Sequence, residues 1–167
     1  MNKKIFVTLV VVVVIAAMTI PAYANGTTDT PVSYSECIIG SYGEPPKEWN
    51  PDGNLQMRNV YYISEIFDAS DDRLSGTLYG NEKVVISLKD GRAIFQGTTM
   101  IVLPDDRGVW EGSWRGVGVL GDYWEIYVVL QGIDGEVEGL KAFITTTSDE
   151  SYLCADSTGL IVNPGGK

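Results

Sequence analysis

Beyond residue 33 the chain alternates on a two-residue period, not a helical one. Short runs rich in Val, Ile, Tyr, Trp and Thr are broken by Gly, Asp and Asn, and no useful length of chain repeats apolar residues at helical spacing. This pattern predicts strands over Tyr34–Tyr42, Leu55–Phe67, Arg73–Tyr79, Lys83–Leu88, Arg92–Val102, Val109–Gly118, Tyr123–Ile133, Glu136–Thr147 and Tyr152–Val162. Asp90-Gly91 and Asp134-Gly135 carry the two-residue hairpin signal. Asp68–Asp72 and Pro104–Gly108 read as longer polar turns. The segment 43–54, with Pro45-Pro46 and Asn50-Pro51-Asp52-Gly53, reads as a loop. Consecutive hairpins of this kind make an antiparallel meander.

Glycine placement bends that meander into a ring. Gly76, Gly80, Gly97, Gly112, Gly116, Gly132 and Gly139 fall in or beside predicted strands, where a missing side chain costs stability unless the sheet kinks or another group approaches closely. In Trp110–Gly116, period-two alternation puts Trp110, Gly112, Trp114 and Gly116 on one face and Glu111, Ser113 and Arg115 on the other. Large rings beside absent side chains fill a tightly curved wall. In the next strand Trp124, Ile126, Val128 and Leu130 oppose Tyr123, Glu125, Tyr127, Val129 and Gln131, so both faces are bulky. The expected fold is all-β, a meander closed into a barrel of about eight strands.

The N-terminus has a different character. Lys3 and Lys4 precede an apolar run from Ile5 to Ile20, broken only by Thr8 and Thr19, and Pro21-Ala22-Tyr23-Ala24 supplies a small-x-small cleavage site. Residues 1–24 therefore read as a cleavable signal peptide, with cleavage after Ala24 and export to the envelope, periplasm or medium. An uncleaved anchor is the rival reading, but its run is short against the roughly 20 residues a bilayer requires. Polar residues 25–33 read as a flexible lead-in, 34–163 as one barrel domain and 164–167 as a tail. Export makes Cys37 and Cys154 a pair expected to be bonded, linking the first and last strands. A bridge over so long a loop contributes about 4–5 kcal/mol by loop-closure entropy.

Composition removes several function classes. The 167 residues hold 12 Lys+Arg against 22 Asp+Glu and no His. Loss of the leader would take two lysines and no acids, leaving 10 basic and 22 acidic residues and a net charge of −12. So acidic a chain offers no nucleic-acid surface. Without His there is no Ser-His-Asp or Cys-His catalytic set and no His-bound metal. No metal site or cofactor is implied, and after cleavage no membrane anchor remains.

The runs Asp90–Thr98, Gly108–Gly116 (GVWEGSWRG) and Gly132–Ala142 (GIDGEVEGLKA) together resemble exported bacterial proteins with an allene oxide cyclase barrel-like domain, related in architecture to plant dirigent proteins. The likeness is a rhythm of Gly and Trp on successive hairpins over about residues 54–147. It implies an eight-stranded barrel whose interior takes an apolar small molecule, and association into homo-oligomers. In the plant enzymes it would imply cyclisation of an unstable fatty-acid epoxide. Their catalytic positions find no residue-by-residue match here, so that activity is not carried over.

Candidate chemistry divides by face. If the polar face of the central strands turns inward, Glu111, Arg115 and Glu125 converge on a ligand as acid, base and cation, beside Tyr123 and Tyr127, with Glu136 and Glu138 on the following segment. If it turns outward, the same residues are a solvated surface. Trp110, Trp114, Trp124, Tyr123 and Tyr127 line a pocket on one reading and fill a core on the other, while Trp49 lies in the Pro-rich loop. The leading expectation is a non-catalytic exported barrel that binds a small apolar molecule or acts through its surface. The alternatives are a cofactor-free isomerase or cyclase and a surface carbohydrate-binding or adhesive module.

Overall fold

The computed structural model describes residues 29–148 and 153–165, so the leader reading and residues 25–28 lie outside the described residues. Nine strands follow in chain order: β1 (Thr30–Ser41), β2 (Lys47–Trp49), β3 (Asn54–Phe67), β4 (Gly76–Ser87), β5 (Arg92–Val102), β6 (Gly108–Val119), β7 (Tyr123–Gly135), β8 (Lys141–Ser148) and β9 (Cys154–Val162). Every pairing is antiparallel, and neighbours run β1-β9-β8-β7-β6-β5-β4-β3, with β1 also paired to β3. The sheet is therefore closed: eight staves with no free margin. The ninth strand adds no stave. β1 and β2 both run along the same edge of β3, against 62–67 and 56–58 respectively, with residues 42–46 looping out between them.

The pattern-based reading differs from this at several points. The lead-in ends at Asp29, because residues 30–33 pair with β9 and bury Val32. Arg73–Tyr79 and Lys83–Leu88 are not two strands: β4 runs unbroken through Gly80-Asn81, and a 3-10 turn holds Asp72–Leu74. The Pro-rich loop contains β2. The Asp134-Gly135 turn is displaced to residues 136–140, with Gly135 and Gly139 at positive φ.

One residue of β3 resets its faces. Met57 pairs with Val84 and Val60 with Glu82, so Arg58 and Asn59 together oppose Lys83, and Asn59 takes a left-handed φ of 58°. This bulge moves the inward positions from odd (Leu55, Met57) to even (Tyr62, Ser64, Ile66). The glycines of the wall are seats for rings. A Cβ on Gly80 would lie 2.1 Å from the Tyr62 ring, and one on Gly97 2.6 Å from the Trp114 ring.

The two ends of the lumen are built differently. At one end the turns carry apolar plugs: Leu74, Leu103, Val137 and Leu140 are buried and pack with Trp110, Ile101, Leu130 and Ile161. The Trp110 indole donates a hydrogen bond of 2.6 Å to the Arg73 carbonyl, and Arg73 is held by a two-pronged pair with Asp71. At the other end lie the polar turns 88–91 and 120–122, with Leu120 and Leu153 exposed beside them. There the core is a thinner set: Val84, Ile86, Ala93, Phe95 and Trp114.

Cys37 and Cys154 stand directly opposite across β1 and β9, with Cα atoms 4.1 Å apart, and are bonded. The first and last staves are thus joined covalently as well as by their ladder, which fits folding in an oxidising compartment. Replacing both cysteines by Ser should lower the unfolding free energy by about 4–5 kcal/mol, the loop-closure figure for a bridge of this span. Urea denaturation of the oxidised parent and the double variant reads this directly, and equal midpoints would show that the ladder alone closes the seam.

Candidate functional site

The inward face of the central strands is the tryptophan face. In β6, Trp110 and Trp114 are buried while Glu111, Ser113 and Arg115 are exposed; in β7, Leu130 is buried while Tyr123 and Tyr127 are 45% and 50% exposed. Of the two directions left open for Glu111, Arg115 and Glu125, the inward convergence is overturned: these side chains lie on the outer wall, as a solvated surface. Rings and aliphatic groups claim the lumen, and water is the better solvent for charges that lack a partner. Glu125 is engaged there by Tyr127, whose hydroxyl donates to Oε1 at 2.5 Å. Of the five aromatics named as lining, Trp114 and Trp124 border the open part of the lumen, Trp110 is sealed in the plug, and Tyr123 and Tyr127 face outward. Glu136 pairs with Arg107 at the plugged end.

The open part of the lumen is a cavity of about 310 Å³. Its walls are Met57 and Tyr62 from β3, Val84 and Ile86 from β4, Phe95 from β5, Trp114 from β6, and Trp124 and Ile126 from β7, with Ile38, Leu120 and Leu153 at the mouth. Its volume is at the low end of the ~300–1,000 Å³ typical of ligand pockets. A larger depression of about 750 Å³ lies on the outer wall around Tyr79, Met100, Glu111, Gln131 and Phe143. It is a shallow trough of mixed composition on the outer wall, so the deeper, largely apolar lumenal cavity is the better candidate site.

Two carboxyls that the strand pattern did not single out reach this cavity. Glu36 is inward on β1, in line with Val32 and Tyr34, and Glu82 is inward on β4, in line with Leu78, Gly80, Val84 and Ile86. Burial pushes Glu36 up to about 7 and Glu82 up to about 7, because an ionised carboxylate loses hydration there without gaining a cation. Tyr62 lies within electrostatic reach of both, and burial together with those two charges raises its phenol well above the usual range. Deeper in, Tyr34 is hydrogen-bonded with Thr146 and Ser157, whose hydroxyls also meet each other at 2.8 Å. Several buried polar atoms in this layer have no protein partner: Glu36 Oε2, the Trp114 and Trp124 indole N–H groups and Thr99 Oγ1.

A signal for Glu82 does exist in the sequence. Reading residues 78–86 as one strand gives Leu, Gly, Glu, Val and Ile on one face, a carboxylate among apolar neighbours. The assumed break at Gly80-Asn81 hid it. Glu36 is harder to find, since Ser35, Cys37 and Ile39 make an equally plausible inner face for β1.

Asp71 is taken up by Arg73, and among the described residues no group of three or more potential ligands converges. Tyr42 is exposed and is tilted 48° to Tyr61 and 80° to Tyr79, so these three rings do not form a flat platform. Compared with known proteins, the chain matches no family model, no curated protein and no solved structure.

Proposed function

We propose that this is an exported barrel protein, acting in the envelope or medium, whose lumen binds a small, largely apolar molecule through its unplugged end. The observation that carries this reading is the lumenal cavity itself, about 310 Å³, walled by aromatic and aliphatic groups and furnished with buried polar atoms that have no partner in the protein. A core evolved only for packing would fill such a space, since voids and orphaned polar groups both cost stability. The resemblance to allene oxide cyclase-like barrels, drawn from residues alone, supports the same use of the interior. The closed ring, the disulfide and the leader-like N-terminus support export.

Thermal unfolding against a panel of small aliphatic and aromatic alcohols, acids and amines tests the proposal. Binding to the folded state alone raises stability with ligand concentration, so at least one class should shift Tm upward and perturb the fluorescence of Trp114 and Trp124. Val84→Phe, which fills the cavity from β4, should remove both responses while the protein stays folded. A panel that leaves Tm and fluorescence unchanged would overturn the reading.

A second reading, a cofactor-free isomerase, draws on a specific observation. Glu36 and Glu82 titrate near neutrality, where a carboxyl can both give and take a proton. They replace the outward-facing Glu111, Arg115 and Glu125 in that role. Turnover would then show a pH limb near 7 and be lost in Glu36→Gln. A bound molecule that leaves chemically unchanged at every pH would eliminate it.

A further inference from the structure

We infer that the lumenal ligand is an organic cation: a compact apolar or aromatic body carrying an ammonium group held between Glu36 and Glu82. The inference rests on the reading of the lumen as a binding pocket and adds the charge of the occupant. Its first support is the balance of the lining. The charged side chains on the cavity wall are these two glutamates, and no Lys or Arg is among them. Arg58 and Lys83 flank Glu82 around a separate recess of the wall but form no ion pair with it; the ion pairs of the described residues are Arg73–Asp71, Arg92–Asp90 and Arg107–Glu136. Two carboxyls in one low-dielectric chamber are stable as anions only with a cation between or beside them.

The second support is the company they keep. Tyr62, Phe95, Trp114 and Trp124 present aromatic rings to the same space, and ring faces attract an ammonium as no aliphatic wall does. Trp114 is 94% buried by its 6% exposure, and its indole N–H is without a partner, as is Glu36 Oε2. An ammonium bearing an ether or hydroxyl oxygen on its apolar body would satisfy both, donating to the carboxylate and accepting from the indole. The mouth is lined by Ile38, Leu120 and Leu153, so the charged end is the inner end and the apolar body faces outward.

Binding then depends on protonation. The titratable groups on the wall behind Glu36 are Tyr34 from its own strand and Tyr62 from β3, and burial moves both phenols to higher pH, away from the window in question. Glu82 shares its outer recess with the cationic side chains of Arg58 from β3 and Lys83 from its own strand. The carboxyls alone therefore set the window. A cation should bind weakly when they are protonated and strongly when they are ionised, and its entry at intermediate pH should release protons to buffer.

The test is isothermal titration of the disulfide-bonded protein with three probes of matched shape: phenethylamine, phenethyl alcohol and 3-phenylpropionate. At pH 8 the amine should bind at least tenfold tighter than the alcohol, and the carboxylate should bind weakest. At pH 5 the advantage of amine over alcohol should fall to about threefold or less, and in Glu36→Gln/Glu82→Gln it should disappear at both pH values. An alcohol that equals the amine at pH 8, or a carboxylate that surpasses it, overturns the cation inference and leaves the pocket reading standing. If none of the three binds at millimolar concentration, the pocket reading falls with it.

Discussion

The double substitution Glu36→Gln/Glu82→Gln should raise the unfolding free energy by several kcal/mol at pH 8 and leave it almost unchanged at pH 4. The reason is a difference in proton affinity between the folded and unfolded chain. Each carboxyl has an ordinary value of 4.5 when solvated and about 7 in the lumen. Below pH 4.5 both states are protonated and burial is tolerated. As pH rises from there through about 7 the unfolded chain releases its protons first, so stability falls across that window and levels off above it. A shift of this size corresponds to about 3 kcal/mol for each carboxyl. Glutamine keeps the shape and removes the titration. Urea denaturation of parent and variant at pH 4, 6 and 8 measures the difference, which also cancels the general repulsion of an acidic chain. If the gap between them does not widen with pH, the two side chains are solvated and the enclosed lumen is wrong.

At the plugged end the largest effect should come from Trp110→Ala, a loss of about 3–5 kcal/mol. Trp110 has no exposed surface, packs among the leucines of three turns, and holds the Arg73 carbonyl by its indole N–H. Truncation opens a cavity at the point where the turns meet and leaves that carbonyl without its donor. Trp110→Phe keeps most of the packing and loses the hydrogen bond, so its cost should be about 1–2 kcal/mol. That milder variant stays informative if the alanine variant fails to fold. Because the plug and the cavity are separate clusters, Trp110→Phe should leave probe binding at the other end unchanged. A cost below about 0.5 kcal/mol for Trp110→Ala, within the range of a surface substitution, would mean that this end is not sealed as described.

These two residues show what was legible beforehand and what was not. Trp110 and Trp114 were readable as one face of a curved strand beside Gly112 and Gly116, and the structure keeps them so, with Leu130 and Ile126 against those glycines. Closure and the Cys37–Cys154 link were readable too, because hairpin signals, strand-borne glycines and two cysteines near the ends of one domain all agree. Direction was not. The outer wall carries Ile94, Val117, Val129 and Phe143 in exposed positions, so hydrophobicity alone cannot say which side of β6 or β7 is wet. Both directions for Glu111, Arg115 and Glu125 therefore stay open in the sequence, and the structure selects the outward one. The inner glutamates were hidden by local rules that tertiary structure overrides. Gly80 looks like a strand end but is a seat for Tyr62, and the bulge at Asn59 reverses the alternation of β3 midway.

The pairing of β1 with both β3 and β9 also dictates an order of assembly. Staves β3 to β8 join their sequence neighbours, so most of the ladder can zip as the chain emerges. The contact between β1 and β9 spans 117 residues at Cys37 and Cys154 and must wait for the C-terminus. Sealing of the cylinder is accordingly the long-range step of the ladder, the one pairing that joins the two ends of the barrel. With two thiols in all, there is no mispairing to correct within one chain, so oxidation can act as a latch on a finished form and needs no shuffling enzyme to find it.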